Sequence, residues 1–128
     1  MMPRPTHLLL VEADPLQAAA ARYALEERGY RVTACAGPAA ALAHCATTLF
    51  DLALTNAFYP DESGQFSISG GTFAGRLLAE HLLPSIVLTG WPIAQLYARE
   101  DFYTGQAFLA KPYTTAQLRR AIREVLRE

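Results

Sequence analysis

Short, nearly all-apolar runs alternate with helical segments along the whole chain, and this alternation limits the fold more than any other feature. Leu8 to Val11 reads as a strand. Asp14 then supplies an N-cap and Pro15 a first-turn proline for a helix that should end near Gly29. Tyr30 to Cys35 is a second strand, Pro38 to Thr47 an alanine-rich helix, and Asp51 to Thr55 a third strand. A polar, glycine-rich stretch from Tyr59 to Gly71 is expected as an unusually long loop, functional or mobile. Phe73 and Leu77, at i,i+4 spacing, mark the next helix; the strand Ser85 to Thr89 follows, and Pro92 opens a fourth helix. The last strand is Ala107 to Ala110, and the last helix sets Leu118, Ile122, Val125 and Leu126 on one face. Apolar strands separated by helices predict an α/β fold, a doubly wound five-stranded parallel sheet with five helices, in one domain over residues 1–128.

Composition narrows the function. At 52% hydrophobic residues the chain can bury a real core. Eleven basic residues against twelve acidic ones give no reason to expect nucleic acid or an anionic membrane as partner. The N-terminus holds only four consecutive apolar residues, too few for a signal peptide or a membrane span, so a soluble, cytoplasmic protein is expected. Cys35 and Cys45 lack metal-ligand spacing and are expected as buried free thiols. No metal or cofactor is expected.

In doubly wound sheets the chemistry sits at the carboxyl ends of the strands. Those ends carry Glu12, Ala13 and Asp14 after the first strand, Asn56 after the third, Thr89 after the fourth and Lys111 after the fifth. The segments LLLVEADP, DLALTNAFYPDESG, SIVLTG and FLAKP resemble, in order and spacing, the four signature segments of response-regulator receiver domains, over residues 7–128. The resemblance implies a flavodoxin-like receiver topology. It also implies that Glu12 is the first acid of the pocket, that Thr89 and Lys111 are the phosphoryl-contacting pair, and that Phe108 is the switching aromatic.

Two positions depart from that pattern. Ala13 stands where the family has its main magnesium-binding aspartate, and Asn56 where it has the phosphoacceptor. An aspartyl carboxylate attacks phosphorus, whereas the asparagine amide is neutral with a delocalised lone pair. Magnesium held by carboxylates loses most of its attraction when these become a methyl and an amide. Lys111, without its usual partners, is expected to pair with Glu12 or with the Asn56 carbonyl and to hold one conformation.

The reading is therefore a degenerate, pseudo-receiver module, not an enzyme, with no catalytic residue, acting through protein contacts in a two-component-type pathway. With no further block after Glu128, no output domain is expected. The resemblance implies a partner surface on the fourth helix, fifth strand and fifth helix, for which Tyr97, Tyr113, Arg119 and Arg123 are the anchors. The partner is a histidine kinase, another regulator or a second copy, so a homodimer is possible. Two alternatives are kept: an atypical phospho-receiver using Asp14 or Asp61, and a small-anion or other ligand site at the strand ends. Against the first, Asp14 reads more simply as a helix cap and Asp61 as a turn residue. Phe108 is equally readable as core packing. Ser69-Gly70-Gly71-Thr72 reads as a hinge and helix cap, not a phosphate loop.

Overall fold

A computed structural model describes residues 4–127. The described elements are β1 (His7–Val11), α1 (Pro15–Glu26), β2 (Arg31–Cys35), α2 (Pro38–Cys45), β3 (Leu52–Asn56), β4 (Phe58–Pro60), β5 (Phe66–Ser69), α3 (Gly70–His81), β6 (Ser85–Thr89), α4 (Ile93–Tyr97), β7 (Ala107–Ala110) and α5 (Thr115–Leu126). Five strands form one sheet in the order β2-β1-β3-β6-β7, every pairing parallel. The order turns back on itself between β1 and β3, the doubly wound arrangement that opens a crevice above their carboxyl ends.

Alternation along β1 divides the core. Leu8 and Leu10 face one side with Leu25 of α1 and Leu118 and Ile122 of α5, while Leu9 and Val11 face the other with Ala41 of α2 and Phe73 and Leu77 of α3. All of these side chains are buried, and full burial of each contributes roughly 1.5–3 kcal/mol for the larger ones. Two helix starts follow the caps read from sequence, with Asp14 accepting from the Leu16 and Gln17 amides and Ser69 from Thr72; at a third, Thr114 forms a capping box with Gln117.

Two expectations need correction, while the fourth helix opens after Pro92 as expected. The stretch from Tyr59 to Gly71 is not a structureless loop: β4 and β5 pair antiparallel as a hairpin, with an irregular register between Tyr59 and Pro60. Its turn has backbone hydrogen bonds from Asp61 N to Gln65 O and from Gly64 N to Asp61 O, and the Asp61 side chain reinforces it by accepting from the Ser63 and Gln65 amides and from the Ser63 and Ser67 hydroxyls. The fourth helix is a single turn or so, Ile93–Tyr97. The cysteines are free, as expected, but half-buried; burial raises the Cys35 thiol to about 11, so it stays protonated and unreactive at neutral pH. Among the described residues, no helix is long and apolar enough to cross a membrane.

Candidate functional site

The residues singled out at the strand ends do converge. Glu12, Ala13, Asp14, Asn56, Thr89 and Lys111 line one open cleft of about 600 Å³ above β1, β3, β6 and β7. Glu12, 8% exposed, is its centre. One carboxylate oxygen accepts from the Lys111 ammonium at 3.0 Å; the other accepts from the Asn56 side-chain amide at 2.9 Å and the Asp14 backbone N–H at 3.0 Å. Of the two partners expected for Lys111, the structure selects Glu12, and Asn56 turns its NH2 toward the same carboxylate. The charge pair is only partly exposed and fully hydrogen-bonded, the condition under which such a pair is tolerated.

Several site residues escape a reading of the sequence. Gln17, one turn into α1, accepts from Lys111 at 2.8 Å and donates to Asp14 at 3.1 Å, joining the helix cap to the ion pair. Tyr59, 1% exposed, donates to the Val11 carbonyl and accepts from the Asn56 N–H, both at 2.8 Å, so one hydroxyl ties the ends of β1 and β3 together. Burial pushes its phenol well above the ordinary range, which keeps the proton on it. Thr89 turns inward: its hydroxyl accepts from the Trp91 N–H at 2.8 Å and donates to the Trp91 carbonyl at 3.3 Å. Phe58, Phe66 and Trp91 line the apolar wall of the cleft, Phe58 and Trp91 meeting edge-on at 5.3 Å.

The donor set does not fit the magnesium ion that the receiver pattern implies. Ala13 offers no oxygen, Asn56 presents its amide hydrogens to Glu12, and both Glu12 oxygens are already engaged. No group of three or more His, Cys, Asp or Glu that could hold a metal occurs among the described residues. Asp14 and Asp61 are both committed to backbone caps and turns. Hydrogen bonds from the Gln17 side chain and the Leu16 amide lower the Asp14 carboxyl, and the Ser63 and Ser67 hydroxyls hold Asp61 at about 2.

Asn56→Asp would set a second carboxylate where the amide now donates to Glu12. Two unit charges about 4 Å apart repel by about 4 kcal/mol at an effective dielectric near 20, less what solvent and Lys111 offset. We expect a loss of about 1–4 kcal/mol at neutral pH in urea unfolding without metal. The loss should shrink as falling pH protonates one of the pair, because that proton is bound more tightly in the folded state. Equal stability of variant and parent would contradict the contact.

Phe108 of β7 sits between Tyr97 at 5.1 Å and Phe102 at 5.2 Å, both edge-on. Tyr97 is exposed, whereas Tyr113 is half-buried against the α1–α5 side of the core. Arg119 and Arg123 line a cleft with Arg28 and Tyr30. Their helix turns them toward the end of α1.

No protein-family model matches the sequence, and no curated protein matches it. Solved structures do. The signal receiver domain of a modulated diguanylate cyclase from Desulfovibrio desulfuricans G20 is 26% identical, over 96% of this chain and 94% of that one, with a TM-score of 0.81. The signal receiver domain of an HD domain-containing protein from Pseudomonas fluorescens Pf-5 is 23% identical, over 99% and 90%, with a TM-score of 0.81. A CheY-like response regulator receiver domain protein from Methanospirillum hungatei JF-1 is 22% identical, over 96% and 94%, with a TM-score of 0.79. Sheet order, strand-end cleft and these neighbours agree that the chain has the fold of the CheY-like response-regulator receiver domains.

Proposed function

We propose that this chain is a receiver-type signalling module that does not take up a phosphoryl group and acts by binding a protein partner in a two-component-type pathway. The observation that carries this reading is the closed network of Glu12, Asn56 and Lys111. An amide occupies the position of the nucleophile, and the cation that would meet the phosphoryl group is already neutralised. The network favours one arrangement of the strand ends without a chemical trigger. Exposed Tyr97, stacked edge-on against Phe108, is the aromatic anchor best placed for a histidine kinase, another regulator or a second copy. We place the protein in the cytoplasm, with no catalytic residue of its own.

Restoring the chemistry tests the reading. Asn56→Asp alone should gain little labelling from a small acyl phosphate with magnesium, because the developing phosphoryl charge stays largely unneutralised. Asn56→Asp combined with Ala13→Asp should gain much more. Equal labelling of both variants would show that Ala13 is not the missing metal position.

A second reading rests on the apolar wall. A cleft of about 600 Å³ flanked by Phe58, Phe66 and Trp91 has the size and lining of a small-ligand pocket. Saturable quenching of the single tryptophan, Trp91, by a small ligand would favour it.

A further inference from the structure

The opposite end of the sheet carries a second concavity. Thr6 precedes β1 as Glu12 follows it, and roughly 20 Å of extended chain separates the two. Thr6, Arg28, Gly29, Tyr30, Arg119 and Arg123 line a cleft of about 550 Å³, within the range of small-molecule sites. Three guanidiniums and no carboxylate form its lining.

That charge is not compensated elsewhere. Arg4, Arg22, Arg76, Arg99 and Arg120 each pair with an aspartate or glutamate. Arg28, Arg119 and Arg123 have no carboxylate partner among the described residues; Arg28 reaches only the Ala24 carbonyl, at 3.5 Å. The Nε of Arg119 is buried and has no acceptor. A buried donor left unpaired is uncommon and calls for an explanation. Arg119 and Arg123 lie at i,i+4 on α5, where like charges repel. The fold thus holds three cations together with no paired counter-charge among the described residues.

We propose that this cleft binds a small phosphorylated anion carrying two or more negative charges. Guanidiniums match phosphate oxygens bidentately, and three of them fit a pyrophosphate-sized group better than a single carboxylate. Tyr30 packs against the core and gives a fixed aromatic wall, and Gly29, at φ +89°, makes the tight turn that brings Arg28 beside it. A compact ligand fits better than an extended polyanion. Beside the cleft, Arg22 and Arg120 are each neutralised, by Glu26 and Glu124. The site is independent of the strand-end network.

The test titrates the full chain with pyrophosphate, ADP and inorganic phosphate, following heat of binding and backbone amide shifts. Pyrophosphate or ADP should bind saturably, with the largest shifts at Gly29, Tyr30 and the amides around Arg119. Arg119→Gln and Arg28→Gln, each confirmed as folded by circular dichroism, should weaken binding about tenfold or more. Arg120→Gln should leave it unchanged. The proposal is overturned if none of the three anions binds saturably. It is overturned equally if the Gln variants bind like the parent while the shifts fall at Thr89 and Gly90.

Discussion

Gly70→Ala should destabilise the protein by more than about 3 kcal/mol or prevent folding, although it adds one methyl group. A Cβ at Gly70 would lie 1.8 Å from the Asn56 carbonyl oxygen and 2.8 Å from that of Ala57, and both obstacles are backbone. No rotamer relieves such a contact. The chain must move α3 away from β3, and the hydrogen bond from Gly70 N to Ala57 O, at 2.7 Å, moves with it. Overpacking in a well-filled core costs about 1–3 kcal/mol, and more when backbone cannot yield. Gly75→Ala, in the same helix with nothing within 4 Å of the added Cβ, should instead stabilise by about 0.5–1 kcal/mol. Urea unfolding of the two variants checks both signs, and a Gly70→Ala protein as stable as the parent would refute the close approach of α3 to the site.

Tyr59→Phe should cost about 2–4 kcal/mol while keeping the ring in place. The hydroxyl alone makes two buried backbone hydrogen bonds, to Val11 O and from Asn56 N, and the ring packs edge-on to Phe73 at 6.1 Å. Removing it strands an acceptor at a buried position and a donor at a part-buried one, and each costs about 1–3 kcal/mol. The consequence reaches the cleft, because Asn56 is then held only by its strand pairing and its contact with Glu12. Faster exchange of the Asn56 amide hydrogens should accompany the lost stability. Unchanged stability would mean that the hydroxyl bridges nothing of consequence.

Much of this was legible in the residues. Leu8 to Leu10, Leu52 to Leu54 and Ile86 to Leu88 are continuous apolar runs because those strands are buried on both faces, and Leu118 and Ile122 are periodic because only one face of α5 is. Asp14 and Ser69 announce their helices by capping chemistry that acts within a few residues. The hairpin hid because Phe58–Pro60 contains a proline and Phe66–Ser69 is only four residues long. Its turn is reinforced by the Asp61 side chain, whose contacts no periodicity records.

At the site, the convergence of Glu12, Asn56 and Lys111 was legible from strand ends, since parallel topology brings those ends together. Tyr59 and Gln17 were not, because each acts through a side chain whose direction depends on packing. Arg119 and Arg123 share a face by helical spacing, but nothing local shows that Arg28, far off in sequence, completes it.

The receiver fold is retained here, and the proposed function holds that its phosphorylation chemistry is not. Intact-mass measurement after incubation with a small acyl phosphate and magnesium tests it most directly, with the Ala13→Asp, Asn56→Asp double variant treated alongside to show that the donor is active. The native chain should keep its mass while the double variant gains one phosphoryl group. Stoichiometric, base-labile phosphorylation of the native chain, at any residue of the strand-end cleft, would contradict it.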